Sequence, residues 1–165
     1  MYFMKFPNKI YIIGGAGTGK STLAKKISKI KNIPHFCLDD ITRFKKYTEK
    51  LPLDQRAYTL HHDILLPYKK WIIEWFAVDR VDECYQKADL VIVLDVPGIV
   101  TSRRMIKRYF HRTSTRNFLW IIKLIKRALK YHNHSNPYSV HRLIGDCKRY
   151  KCKYIIIHDA KEILG

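Results

Sequence analysis

The residues with the clearest chemistry occupy positions 14–21, which read Gly-Gly-Ala-Gly-Thr-Gly-Lys-Ser. They match the pattern G-x-x-x-x-G-K-S in full, between an apolar stretch and a segment of helical period. Glycines let the backbone curl with its N–H groups pointing inward, and the following helix adds unpaired N–H groups and a positive dipole end. The pattern predicts a loop that holds the triphosphate of ATP. A glycine-rich turn without a ligand is the alternative, and both the pattern and its context count against it.

Two side chains of this phosphate-binding loop have separate expected roles. The ammonium group of Lys20 is expected to contact the β and γ phosphates, and the hydroxyl of Ser21 to bind Mg²⁺. The predicted nucleotide-binding set in this part of the chain is Gly14, Gly15, Ala16, Gly17, Thr18, Gly19, Lys20, Ser21 and Thr22.

A Mg²⁺ site also needs a carboxylate near Ser21, usually acting through water. Glu74 and Asp95 each close an apolar run of strand length and so lie on the expected edge of the sheet. A charge in that position normally needs a partner, so either acid has a structural interpretation as well. The residues by themselves leave the choice open.

Asp39 and Asp40 follow another strand-like run, 35–38, and face the same edge, where α/β sheets bind ligands. Two interpretations remain open. Asp39 orients or deprotonates an acceptor hydroxyl, or one of the two acids caps a helix that begins near Ile41. Arg43 is a weaker candidate, as the partner of an anionic acceptor.

The net charge of +18 is concentrated in residues 101–153, which hold fifteen Lys and Arg against one acid. Such an excess indicates an anionic partner. Nucleotide phosphates suffice, nucleic acid is an alternative, and a solvated basic surface is another. Arg104, Arg108 and Arg112 recur every four residues and therefore share a helix face. We expect them to neutralise a transferring phosphoryl group, although a DNA-contacting stripe has the same spacing.

The elements that position these residues follow from the alternation of short apolar runs with longer segments of helical period, which is typical of an α/β sheet with right-handed crossovers. Predicted strands are 9–13, 35–38, 71–73, 90–94 and 154–157, and predicted helices are 20–31, 54–67, 78–87, 99–110, 117–131 and 138–150. In the first helix the apolar positions that share one face are Leu23, Ile27 and Ile30. In the helix at 117–131 the lysines face one way and the apolar residues another, which favours a packed lid or core helix over a membrane binder; these residues are Phe118, Ile121, Ile122, Ile125 and Leu129.

The bulk composition fits a single domain over residues 1–165. There is no secretory signal and no apolar run of membrane-spanning length, so the expected location is cytoplasmic. Four cysteines without a C-x-x-C pair indicate reduced thiols, and a zinc site from Cys147, Cys152 and His158 fits no common module.

Residues 10–23, 33–40, 71–74 and 88–97 together resemble one family. They are similar to adenylate-kinase-like P-loop kinases, and most closely to the small DNA topology modulation (FlaR-type) kinases. The resemblance implies a three-layer α/β domain, a parallel five-stranded sheet in the order 2-3-1-4-5, a basic helical lid over about 99–131, and the use of ATP and Mg²⁺.

The resemblance also implies roles for individual residues. It places Glu74 beside Ser21 to help hold Mg²⁺, which favours Glu74 over Asp95. It places Arg104 near the adenine and Arg108 at the phosphates, and it puts the loop that contains Ala160 beside the base.

The chain departs from the family at three places. Trp75 stands where the family usually has Gly, Gly98 stands where close relatives have Arg, and residues 40–54 lack the pattern that recognises a nucleoside monophosphate. ATP binding therefore carries over from the resemblance, whereas the identity of the acceptor does not.

The resulting prediction is a phosphotransferase that moves the γ-phosphoryl group of MgATP to a nucleoside, a nucleotide or another hydroxyl metabolite. The alternatives are a nucleotide-dependent, nucleic-acid-associated protein and a plain NTPase. The predicted catalytic residues are Lys20, Arg104, Arg108, Arg112 and Asp39, and the predicted metal-binding residues are Ser21 and Glu74.

Overall fold

The computed structural model describes residues 6–38, 58, 60–75, 82–111, 118–134, 136 and 139–159. Asp39, Arg112 and Ala160 lie outside these residues, so their predicted roles stay predictions. The same holds for the alternatives that involve Asp40 and Arg43.

Five parallel strands form one sheet in the order β2-β3-β1-β4-β5. Their short runs of Ile, Val and aromatic residues suit extended backbone that is buried on both faces. The strands are β1 Lys9–Gly14, β2 His35–Cys37, β3 Trp71–Trp75, β4 Leu90–Leu94 and β5 Tyr154–Ile157. The predicted α/β class and strand order are confirmed.

Helices cover both faces of this sheet. They are α1 Lys20–Lys31, α2 Asp82–Lys87, α3 Gly98–His111, α4 Phe118–Leu129 and α5 Val140–Arg149, with a π-helical segment at His61–Leu65. In β1 the side chains alternate: Ile10 and Ile12 join the core cluster that includes α1, whereas Tyr11 and Ile13 join the cluster that includes α2 and α5. The three layers follow from this alternation.

Helix α1 ends at Asn32, which adopts the left-handed conformation with φ of 51°. Its buried residues are Leu23, Ala24 and Ile27, while Ile30 is 58% exposed. The packed part of this apolar face therefore ends before Ile30, which lies in the last turn of the helix.

The prediction that Glu74 closes its strand was also wrong. Strand β3 continues to Trp75, and Glu74 pairs in register with Ile12 of β1 and with Cys37 of β2. Glu74 is thus held between two neighbouring strands. Trp75 is buried and belongs to the same core cluster as Tyr11.

Helices α3 and α4 pack against each other through backbone-to-backbone contact at Gly98. A Cβ atom added to Gly98 would lie 2.5 Å from the carbonyl oxygen of Ala128, so only glycine fits there. Ile121 and Ala128 are buried, whereas Leu129 is exposed. The crossing at Gly98 is made against the backbone of both Ala128 and Leu129. In the part of the chain that the structure describes, no helix combines the length and apolarity needed to cross a membrane.

Candidate nucleotide-binding site

The glycine-rich loop connects the end of β1 to the start of α1, as predicted. Gly19 is the N-cap of α1 with φ of 101°, and Gly17 has φ of 77°, both in the left-handed region. Helix α3 lies directly against the loop, because a Cβ atom at Gly17 would lie 3.0 Å from the carbonyl oxygen of Thr101 and 3.1 Å from Cγ of Met105. The loop is therefore shaped by its own glycines and supported from one side by α3.

Lys20 folds back across this loop. Its Nζ donates to the carbonyl oxygens of Gly14 at 2.9 Å and Gly15 at 2.8 Å. The buried Thr18 hydroxyl also donates to the Gly15 carbonyl, at 2.8 Å. These bonds hold the lysine ammonium at the loop, where an incoming anion can compete for it.

Glu74 is the buried acid of the site, with 3% of its surface exposed. Burial by itself raises the pKa of this carboxyl, but polar contacts with His35 and Ser21, together with the charge of Lys20, outweigh it and lower the pKa below its usual range. Glu74 Oε1 has no hydrogen-bond partner among the described residues. The site therefore contains an ionised carboxylate beside the Ser21 hydroxyl.

Asp95 has different neighbours from Glu74. Its Oδ1 lies 2.6 Å from Nε2 of His132, just after α4, and its Oδ2 lies 3.7 Å from Nδ1 of His158, just after β5. The interpretation of a strand-end acid with structural partners fits these contacts.

Arg104 is placed against the loop by α3. Its guanidinium donates to the Thr18 carbonyl at 3.3 Å and lies 3.9 Å from the Asp159 carboxylate, which follows β5. Arg108 is exposed and lies one helical turn further along α3. The structure thus brings Arg104 to the glycine-rich loop and puts Arg108 on the same side of α3.

Two neighbours of the site were not identified from the sequence. Tyr131 stacks over the loop, since a Cβ atom at Gly15 would lie 3.2 Å from its ring, and its hydroxyl donates to the Leu94 carbonyl at 2.9 Å. His35 lies beside Glu74, with Nε2 at 3.8 Å from Oε1. Only the register between β2 and β3 places His35 next to Glu74, and this register could not be read from the sequence. No sequence signal pointed to Tyr131.

The described residues hold no group of three or more His, Cys, Asp or Glu side chains arranged to bind a metal ion. The zinc alternative from Cys147, Cys152 and His158 gains no support from this arrangement. A Mg²⁺ ion bound with nucleotide takes most of its ligands from phosphate and water, so one hydroxyl and one carboxylate suit it.

Comparisons with known proteins place this geometry in a structural class. A shikimate kinase from Bacteroides thetaiotaomicron matches with a TM-score of 0.54 and 17% identity, over 94% of this chain and 88% of that chain. A shikimate kinase from Acinetobacter baumannii in complex with shikimate matches with a TM-score of 0.53 and 13% identity, over 98% and 93%. An uncharacterized protein from Eubacterium ventriosum matches at 0.52 and 18%, over 94% and 93%. The chain has a P-loop kinase fold.

Sequence comparison gives a narrower result. No family model matches the chain. The uncharacterized protein YqaC of Bacillus subtilis (strain 168) is 30% identical over 103 residues, which are 62% of this chain and 57% of that protein. The chain therefore matches little more than half the length of this relative. The specific resemblance to topology modulation kinases remains a prediction.

Proposed function

We propose that the chain is an ATP-dependent phosphotransferase that moves the γ-phosphoryl group of MgATP to a small hydroxyl-bearing acceptor. The observation that supports it most directly is the arrangement around the loop. Lys20 lies on the loop carbonyls, Arg104 lies against the loop from α3, and ionised Glu74 lies beside Ser21. Phosphoryl transfer needs mainly positioning and charge stabilisation, and these groups supply both.

The buried carboxylate supports the metal part of the proposal. Glu74 is 3% exposed, and burying its unpaired oxygen costs free energy unless a ligand binds there. A hard cation that prefers oxygen ligands is such a ligand. Ser21 and Glu74 would hold Mg²⁺, Glu74 through water. Once bound, Mg²⁺ supplies charge neutralisation at the β and γ phosphates.

The remaining catalytic roles belong to the basic side chains and to Asp39. Arg104 and Arg108 would close over the phosphates, together with Arg112. Asp39 would orient the acceptor hydroxyl. Ala160 would lie beside the base.

The acceptor is a small molecule with a nucleophilic hydroxyl. The match to a kinase that was solved in complex with shikimate adds a polyhydroxylated carboxylic acid to the nucleosides and nucleotides that the sequence indicated. Nothing in the described residues selects one of these classes.

A panel of acceptors tests the proposal. ATP consumption and phosphorylated product are measured for nucleosides, nucleotides and hydroxyl acids that include shikimate, with Lys20→Ala as the inactive control. The proposal predicts acceptor-dependent turnover that the control lacks. ATP hydrolysis at one rate across the whole panel would identify a plain NTPase instead.

A nucleic-acid-associated function is the second candidate, and the surface of α4 favours it. Lys123, Lys126 and Lys130 are exposed at helical spacing, in a region of the chain with a large basic excess. Contacts with phosphate make binding fall steeply with salt, by about 0.9 log units per contact for each log unit of salt. A mobility-shift titration with duplex DNA and with RNA tests this, and the absence of a shift at low salt excludes it.

A further inference from the structure

His35 is a largely buried side chain for which the proposed reaction has no role so far. Its side chain is 13% exposed, and Nε2 has no hydrogen-bond partner among the described residues. Leaving a buried donor or acceptor unsatisfied costs about 1–3 kcal/mol. The sheet therefore buries a polar group at a position where an apolar residue would give a more favourable free energy of folding.

The neighbour of this imidazole is the other orphaned atom of the site, Glu74 Oε1. The two atoms lie 3.8 Å apart, which is too long for a hydrogen bond. A purely structural pair would gain free energy by closing the gap. At this distance the imidazole limits where the carboxylate can turn.

Strand pairing fixes the direction of the contact. Cys37 pairs with Glu74, and His35 pairs with Ile72, two residues earlier in each strand and therefore on the same face. His35 therefore approaches the carboxylate diagonally from β2. The Ser21 hydroxyl, the Lys20 ammonium and the Cys37 thiol also act on the carboxylate. Ser21 and Lys20 belong to the start of α1, and Cys37 lies opposite Glu74 in β2. The carboxylate thus lies between the imidazole and the loop, on rigid elements.

We infer that His35 is a positioning residue that orients the Glu74 carboxylate toward Ser21 and so sets the affinity of the metal site. This inference rests on the proposed function, because it assumes that Ser21 and Glu74 hold the divalent cation. Partners of this kind in other metal sites are typically worth about 10–100-fold in metal affinity. His35 need not contact the metal or the nucleotide.

The experiment compares His35→Phe, which keeps a ring without polar atoms, with His35→Gln, which keeps an N–H donor. Mn²⁺ is titrated into protein saturated with the β,γ-imido analogue of ATP, and free Mn²⁺ is read by electron paramagnetic resonance. His132→Phe is the matched control, because His132 contacts Asp95, the acid that follows β4, at 2.6 Å. Analogue binding in EDTA and the melting temperature are measured for all variants.

We expect His35→Phe to weaken Mn²⁺ binding roughly tenfold. His35→Gln should recover most of that loss, while His132→Phe and analogue binding in EDTA stay unchanged. Wild-type Mn²⁺ affinity in His35→Phe would overturn the inference and leave the proposed function standing. Equal losses in the Phe and Gln variants, with equal drops in melting temperature, would show a packing role and also overturn it. Wild-type protein that binds neither analogue nor Mn²⁺ would overturn the proposed function and the inference together.

Discussion

Lys20 holds its ammonium group between two carbonyl oxygens of the loop, a state that an anionic ligand can exchange for phosphate oxygens. We expect Lys20→Ala to weaken ATP binding at least about thirtyfold, since truncating one partner of a desolvated charge pair costs about 2–5 kcal/mol. Calorimetric titration measures the change. Lys26→Ala, at an exposed position of α1, is the control and should bind normally. Wild-type affinity in Lys20→Ala would count against the assigned loop.

A pair of isosteric substitutions tests whether Glu74 or Asp95 is the carboxylate of the metal site. Glu74→Gln removes the ionised group beside Ser21, so the Mg²⁺ concentration for half-maximal activity should rise about tenfold. Asp95→Asn should shift that concentration less, because Asp95 contacts His132 and His158. The reverse order would reassign the metal carboxylate.

At the residue scale, the sequence predicted the loop because its glycine pattern is set by local backbone geometry. Glu74 was favoured over Asp95 through family resemblance only, and its burial and its contact with His35 depend on strand register, which single-sequence patterns do not contain. The position of Tyr131 over Gly15 depends on tertiary packing between distant segments. Local chemistry was predictable, whereas its surroundings were not.

At the scale of elements, the strands were predicted well because runs such as Ile10–Ile13 are apolar on both faces. The apolar face of a helix was predictable, but how much of that face is covered was not. Ile30 and Leu129 are apolar residues at helical spacing, but both lie in a last turn outside the packed face. Helical period identifies a helix, and only the packing partner determines where its contact ends.

Two glycines in helices give opposite predictions for the same substitution. Gly98→Ala places Cβ 2.5 Å from the Ala128 carbonyl oxygen and 2.9 Å from Cα of Leu129, so α3 and α4 must separate at a cost of about 1–3 kcal/mol. Gly145→Ala meets nothing within 4 Å and should stabilise α5 by about 0.5–1 kcal/mol. Thermal unfolding of the two variants measures whether each is less or more stable than the wild type. A lower melting temperature for Gly145→Ala would contradict the second prediction.

A charged cluster links the π-helical segment to α2. Glu83 Oε1 lies 2.6 Å from Nδ1 of His61 and 2.7 Å from Nζ of Lys87. Burial raises the pKa of Glu83, but the contacts with Lys87 and His61 outweigh it and lower the pKa. A carboxyl whose pKa is lower in the folded state stabilises the protein above its unfolded pKa, and this stabilisation is lost as the pH falls through the folded pKa.

We therefore expect Glu83→Gln to lower the unfolding free energy by up to about 1 kcal/mol at neutral pH and by less in acid. Denaturant unfolding at neutral and at acidic pH measures the difference. A loss that is constant across this range would contradict an electrostatic origin.

At the scale of the whole molecule, ligand binding should increase the free energy of unfolding of the entire fold, because the loop lies between the central strand β1 and α1. A ligand that binds only the folded state adds about 2.7 kcal/mol at one hundred times its dissociation constant. The β,γ-imido analogue of ATP with Mg²⁺ should therefore raise the melting temperature, and EDTA should reduce the increase. An equal increase in Lys20→Ala would indicate that the nucleotide binds elsewhere.

The residues just after α4 contact the same edge of the sheet that carries the loop. Tyr131 contacts Gly15 and Leu94, and His132 contacts Asp95. If α4 moves relative to the sheet, these contacts would hold the Tyr131 end in place, and the movement would be larger near Leu119. A spin label on the exposed Leu119 would report the amplitude of such a movement, while a label close to His132 would stay nearly still.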